Sequence, residues 1–338
     1  MSDDNWAVKL GDITYKPREW LWPDHIPSGE LTLIAGIQGT GKSLITTDIV
    51  SHVTNGTNWP DKSLCPIGSA IVLQAEDSLA STVRPRYDAA NADVEKVTII
   101  KGAIVKKQLV AFNLSRDLPR LIHLVEINED VRVIIIDPLG SYVGGIDTHK
   151  ENQVRNVLFP LRIQLAEKYN IAVICVVHLK KGAEDEPILS RILGSVAFTA
   201  AARAIWCVAS DPEDPSKRLF LPAKHNLTAQ RGSGFELFIY TASNSEAAIR
   251  WGKESFELAD DMMVDRGMKP AMAGEKAAKI IREALAKGPK PASKVIELTV
   301  KEGMCKRTVM SAKKKLGIKS TKKPGKGSEW MWSLPEES

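Results

Sequence analysis

The sequence predicts an α/β protein with a mainly parallel sheet, followed by a small, basic unit of helices and a hairpin. Three observations predict it. Short, β-branched apolar runs alternate with helix-like intervals as far as residue 209, closely spaced strands follow, and positive charge gathers at the C-terminal end. At 338 residues the chain is too long for one small module, and its 43% hydrophobic and 26% charged residues exclude wholesale disorder. Residues 271–338 hold 16 Lys and Arg against 7 Asp and Glu, a net +9, which leaves −4 for residues 1–270 of a chain whose total is +5. A nearly neutral body with a polyanion-seeking appendage is the expectation, a merely soluble basic tail the alternative.

Residues 1–30 carry Trp6, Trp20, Trp22 and several prolines without a clear period, and read as an irregular lead-in. LTLIA (31–35), SAIVLQ (69–74), VTII (97–100), VRVIII (131–136), IAVICVV (171–177) and AIWCVA (204–209) are continuous apolar runs, suited to strands covered on both faces. The intervals 43–54, 78–90, 116–128, 151–169 and 190–202 read as crossover helices. RLFLPA (218–223), FELFIY (235–240) and AAIRW (247–251) then finish the sheet as antiparallel strands, closing a domain over 31–252. Residues 253–274 have mixed charge and no sustained period, and read as a linker. Three helix-like segments at 275–287, 291–302 and 305–316, with two strand candidates around a Pro-Gly-Lys-Gly turn, make the unit at 275–335 a winged helix-turn-helix expectation. The start MSDDNWAVKL lacks the order of a signal peptide and no apolar stretch is long enough to span a bilayer, so a cytoplasmic chain without membrane attachment is expected. Cys65, Cys175, Cys207 and Cys305 lie scattered, without metal or disulfide spacing.

The chemistry begins directly after LTLIA. Gly36-Ile37-Gln38-Gly39-Thr40-Gly41-Lys42-Ser43, with Leu44 opening the helix-like segment behind it, is a full P-loop match. Glycines let backbone N–H groups turn toward phosphate oxygens at a helix N-terminus, Lys42 places a point charge near the β/γ-phosphates, and Ser43 offers a hydroxyl to Mg²⁺. A magnesium nucleotide also needs a carboxylate at a neighbouring strand tip, and VRVIIID supplies Asp137. The 95 residues from Lys42 to Asp137 leave room for another strand between the two motifs in the sheet. Glu76, after SAIVLQ, stands where a base would orient water, while Asp77 beside it suits the cap of the helix at 78. IAVICVV ends at His178, a candidate γ-phosphate sensor or a merely hydrogen-bonded strand end.

Taken in order, GIQGTGKS, LQAED with Arg84-Pro85-Arg86, IIIDPLG, CVVHLKK and LGSVAFTAAARA resemble the RecA-like ATPases of plasmid and phage replication. The likeness is to the RepA-type hexameric replicative helicases and their AAA-family relatives, over roughly residues 25–250. The resemblance implies ATP and Mg²⁺ as cofactors, Lys42 and Ser43 at the phosphates, Glu76 as base, Asp137 at the metal and His178 as sensor. It also implies a ring whose nucleotide sites are completed by a neighbour's basic residue, Arg203 first and Lys224 second. Lys224-His225-Asn226 departs from the Lys-x-Arg pair often found on this strand. Arg86 and Tyr240 are the pair that such a family would place around adenine.

The loops 139–150 and 180–190 would face a ring's channel, but mix Lys150, Lys180 and Lys181 with Asp147, Glu184, Asp185 and Glu186, leaving DNA-gripping and solvated readings open. In the tail, Lys306, Arg307, Lys313, Lys314 and Lys315 lie on a helix with apolar Val309, Met310 and Leu316, and Lys319, Lys322, Lys323 and Lys326 lie on the hairpin. DNA, single-stranded or duplex, is the expected partner, with Lys306, Arg307, Lys313, Lys314, Lys322, Lys323 and Lys326 at its phosphates and protein docking as the alternative. Trp330 and Trp332 alternate on one strand face and read as core. The functional expectation is an ATP-dependent helicase or helicase-like motor for a mobile element. A DNA-binding regulator or recombination factor without unwinding stands second, and a small-molecule kinase, which gives the basic tail no purpose, third.

Overall fold

The computed structural model describes residues 7–148, 150–180, 186–194, 196–211, 214, 216–228, 232–263, 270–286, 288–302, 306–322 and 330–335. The chain forms two compact units, the second made essentially of the residues from Asp261 onward.

In chain order the first unit contains β1 (Trp20–Trp22), β2 (Ile26–Pro27), β3 (Leu31–Gly36), α1 (Lys42–Asn55), β4 (Ser69–Gln74), α2 (Arg84–Ala89), β5 (Val97–Ile100), β6 (Ala103–Val105) and β7 (Gln108–Val110). It continues with α3 (Leu114–Glu126), β8 (Val131–Asp137), α4 (Glu151–Pro160), β9 (Ala172–His178), α5 (Val196–Ala201), β10 (Ala204–Ser210), β11 (Lys217–His225), β12 (Gly234–Thr241), β13 (Ala247–Ser255) and, across its boundary, α6 (Ala259–Met263). Nine strands make one sheet in the order β13-β12-β11-β10-β3-β9-β8-β4-β5. The six from β10 to β5 are parallel, and β11, β12 and β13 extend it antiparallel. The sheet is therefore mixed but mainly parallel, as expected. β9 is the strand that separates the P-loop strand β3 from β8.

The continuous apolar runs are explained by burial on both faces: every residue of β3, and every residue of β9 before His178, is buried. On one face Ile34, Val72, Val133, Ile135, Ile174 and Trp206 share a core with Ile45, Ile49, Val50 and Val53 of α1. α1 ends at Gly56, whose left-handed φ of +66° lets its N–H reach the carbonyl of His52.

The N-terminal lead-in is not irregular throughout. β1 and β2 pair as a short antiparallel hairpin, and Trp22 is fully buried, stacked on Trp59 at 4.9 Å and on His25 at 4.3 Å between ring centroids. His25 in turn stacks on Trp206, and Trp206 on Phe220. The indole N–H groups of Trp22, Trp59 and Trp206 donate to Asp61 Oδ2, Leu21 O and His25 O, which is how such large rings are buried without an orphaned donor.

Other elements differ from expectation. The interval 78–90 opens as a π-helical turn over Leu79–Val83 before α2. The interval 190–202 keeps only α5, because the chain pairs Leu179 with Ile192 and passes Gly194 at φ +113° before turning helical. β6 and β7, unforeseen, form a separate hairpin. β13 runs on to Ser255, and α6 also falls in the interval read as linker.

The second unit contains α7 (Pro270–Leu285), β14 (Lys290–Pro291), α8 (Ala292–Lys301), α9 (Lys306–Lys315), β15 (Lys319–Lys322) and β16 (Trp330–Ser333). α7 starts five residues before the expected boundary of 275. The three strands pair in the order β14-β16-β15, and Ala277, Ile281, Leu285, Val295, Val309, Ala312 and Trp332 form the core. Met310 does not pack with Val309 as expected: it is 42% exposed, because a helix face that buries Val309 and Ala312 points the intervening position outward. Trp330 is likewise 55% exposed where Trp332 is 2% exposed.

Candidate functional site

Parallel pairing brings the C-terminal ends of the strands to one edge. Gly36 is opposite His178, and Gln74 is opposite Asp137. Into this edge opens the N-terminus of α1, preceded by the glycine loop. A Cβ at Gly36 would stand 2.8 Å from Thr40 Oγ1 and 2.9 Å from the carbonyl of Val208, so no side chain fits there. Gly41 caps α1 with a left-handed φ of +92°, and Gly39 is left-handed too, at +81°. Thr40 Oγ1 donates to Ile37 O at 2.8 Å, tightening the loop. Gln38 is exposed, whereas the side chain of Leu44 is half-buried against the core, so only its main chain is offered to the loop.

Lys42 is 5% exposed, and its Nζ donates to the carbonyls of Gly36 at 3.0 Å and Ile37 at 2.9 Å. Burial lowers its pKa to about 8, although the charges of Asp137 and Glu76 work against that shift. Asp137 is 5% exposed at the end of β8. Burial raises its pKa to about 6, against a hydrogen bond from the Ser43 hydroxyl and the charge of Lys42, while Glu76 and Asp77 add to the rise. Lysine and carboxylate thus lie in one low-dielectric edge, each displaced toward its neutral form. His178 is half-buried, its pKa lowered by burial and then by Lys42, and its Nδ1 is enclosed without a hydrogen-bond partner. Glu76 is exposed on the turn after β4, within electrostatic reach of Lys42, Asp137 and His178.

Asp77 does not cap a helix. Its Oδ2 accepts from Arg86 Nη1 at 2.6 Å and from Gln74 Nε2 at 3.2 Å, which ties the turn holding Glu76 to both α2 and β4. Arg86 lines a small cleft with Ser43, Thr46, Thr47, Gln74, Tyr87 and Asp137. An ion-paired guanidinium still offers its flat face, and Tyr240 stands 43% exposed on β12, one residue after Ile239, whose side chain lies against Gly41. Sequence reasoning missed Gln74, Thr47 and Tyr87. Thr47 donates to Ser43 O at 2.8 Å and shares a hydrogen bond with Tyr87, whose phenol pKa is raised by burial and by Asp137. The polar end of SAIVLQ was the one signal for Gln74; the other two read as ordinary helix positions.

The remaining candidates lie elsewhere. Arg203 and Lys224 sit at the opposite end of β10, five residues before the register of Gly36 with Val208, about 16 Å away at strand rise. Arg203 is 43% exposed, 3.9 Å from Glu30. Lys224 Nζ donates to Thr199 O at 2.7 Å and Ala202 O at 3.0 Å, at the end of α5, and its pKa is lowered by burial and by Arg203. Lys150 is an exposed ion pair with Asp147 at 4.0 Å; Lys181, Glu184 and Asp185 lie outside the described residues. In the second unit Lys314, Lys319 and Lys322 are exposed and Lys313 Nζ lies 4.9 Å from the ring centre of Trp332. Lys306 and Arg307 belong to α9, and Lys323 and Lys326 lie outside the described residues. No helix among the described residues is long and apolar enough to cross a membrane.

Hard oxygens suit Mg²⁺, and the Ser43 hydroxyl joined to the Asp137 carboxylate at the mouth of the loop is such a donor set. Among the described residues no group of three or more His, Cys, Asp or Glu gathers to hold a metal by itself, which is the pattern of a cation shared with phosphates rather than caged by protein.

No curated protein sequence matches the chain. Among solved structures, the ATPase domain of a phage helicase is similar at 14% identity and a TM-score of 0.48, over 65% of this chain and 85% of that one. The model of the AAA domain family matches residues 3–184, more than half of the chain, and the chain belongs to that family of P-loop ATPases.

Proposed function

We infer that the chain is a Mg²⁺-dependent, RecA-like ATP-hydrolysing motor that assembles as a ring, most simply a hexamer, and acts on DNA as a helicase in the replication of a mobile element. The observation that carries this reading is the convergence of Lys42, the Ser43–Asp137 pair, Glu76 and His178 on one sheet edge in front of α1. In this reading the amides at the start of α1 and the Lys42 ammonium, released from its loop carbonyls, bind the β/γ-phosphates. Ser43 and Asp137 would hold Mg²⁺, which when bound supplies neutralisation of the phosphate oxygens. Glu76 orients the attacking water in line with the γ-phosphate, Asp77 and Arg86 holding its turn. His178 senses the γ-phosphate, and Tyr240 with the face of Arg86 borders the base. The finger comes from a neighbour: Arg203 cannot reach its own loop across the sheet, and its exposure favours it over Lys224, which is engaged at α5. The helices, hairpin and lysines of the second unit support a winged helix that binds DNA.

Glu76→Gln tests the site: ATP affinity stays within about twofold while hydrolysis falls by roughly 10²- to 10⁴-fold. Normal turnover would remove Glu76 as the base. A forked-duplex assay tests the motor: ATP-dependent strand displacement is expected. Robust ATPase activity without displacement would instead favour the second reading, a DNA-binding regulator that uses nucleotide to control assembly. One observation already leans that way: Lys150, in a loop meant to grip DNA, is paired with Asp147.

A further inference from the structure

The second unit presents an aromatic side chain that its own core does not use. Trp330 and Trp332 lie two residues apart on one face of β16, yet only Trp332 is covered, beneath the Lys313 ammonium. Trp330 is 55% exposed. Lys322 is its register partner on β15, a strand whose four residues Lys319, Ser320, Thr321 and Lys322 are all exposed.

An exposed indole framed by lysines is unlike the centre of a protein interface, where lysine is depleted. It matches what nucleic acid offers: a flat base for the ring and phosphates for the ammonium groups. The choice between duplex and single strand follows from geometry. Bases inside a duplex are already stacked on both faces, whereas an unpaired base has a free π-face for an aromatic ring. We propose that Trp330, with Lys322 opposite it, is a stacking platform for an unpaired base, so that the C-terminal unit grips single-stranded nucleic acid. The inference rests on the DNA-binding reading above and makes it specific.

The test uses the full chain, a fluorescently labelled oligothymidylate and a blunt duplex of equal length, with affinities read by anisotropy at several salt concentrations. Trp330→Ala is expected to weaken oligothymidylate binding about 5- to 100-fold, with duplex affinity and the salt slope for either probe unchanged. Trp330→Phe, which keeps a stacking face, restores most of the loss. Lys322→Ala lowers the salt slope on the single strand by about 0.7. Equal thermal unfolding of wild type and Trp330→Ala shows that the unit is intact. If wild type binds the single strand and Trp330→Ala binds it equally well, or loses duplex and single strand alike, the platform is overturned while DNA binding stands. If wild type binds neither probe, the DNA reading itself falls and the platform with it.

Discussion

The two units of this chain handle charge in opposite ways. In the first, a few ionisable groups are drawn into a low-dielectric sheet edge, where burial displaces Lys42 to about 8 and Asp137 to about 6. In the second, many lysines stand in water on α9 and β15. Buried and few is the arrangement that acts on bonds, since a desolvated charge interacts strongly with one partner at short range. Exposed and many is the arrangement that collects a polyanion by releasing its counterions, with little demand on geometry. The difference teaches that the two activities are separable by substitution.

The largest expected effect breaks the first unit alone. Lys42→Ala lowers phosphate release on the order of 10³-fold or more, with oligonucleotide affinity measured without ATP unchanged. A parallel loss of both would tie the activities together and dissolve the contrast. The converse variant, Lys314→Glu with Lys315→Glu, weakens DNA binding and lowers the duplex salt slope by about 0.9 for each phosphate no longer neutralised, while DNA-independent ATPase activity keeps its rate. Mixed oligomers come next in size. Arg203→Ala subunits combined in equal amount with Lys42→Ala subunits recover about a quarter of wild-type turnover if the arginine acts on a neighbour's site, since a quarter of random interfaces pair an intact loop with an intact finger. No recovery counts against Arg203.

The smallest effect concerns stability. Burial lowers the pKa of His52, but its hydrogen bond and ion pair with Asp48, 3.4 Å away, outweigh that and leave it raised above 6.5. Its contribution is therefore full below the unfolded pKa and is lost as pH rises through the folded one. Asp48→Asn keeps an acceptor for the Trp251 indole, which donates to Asp48 Oδ2 at 2.6 Å. The difference in melting temperature between wild type and this variant should shrink as pH rises above 6.5; a constant difference would show that the pair carries no such linkage.

Strands and P-loop were legible because their physics is local. A β-branched run buried on both faces looks the same in sequence and in space, and SAIVLQ forms a strand with the bounds its pattern gave. What depends on register was not legible. Nothing in LQAED says that Gln74 will stand opposite Asp137, or that Asp77 will accept from Arg86 nine residues on instead of capping a helix. Trp22 was passed over because a two-strand hairpin is too short to show a period. The pair Trp330 and Trp332 shows the same limit from the other side: alternation places both on one face, but only the packing of α9 decides where cover ends.

The hairpin of Trp20–Pro27 has a practical consequence for anyone cutting this gene into pieces. Because Trp22 and His25 plug the aromatic stack of Trp59, Trp206 and Phe220, an expression fragment that starts at the P-loop strand would leave those rings facing solvent. Such a fragment is expected to come out as inclusion bodies, and a soluble ATPase module must keep the residues from Glu19 onward, whose side chain and carbonyl also anchor Asn170 and Ser28.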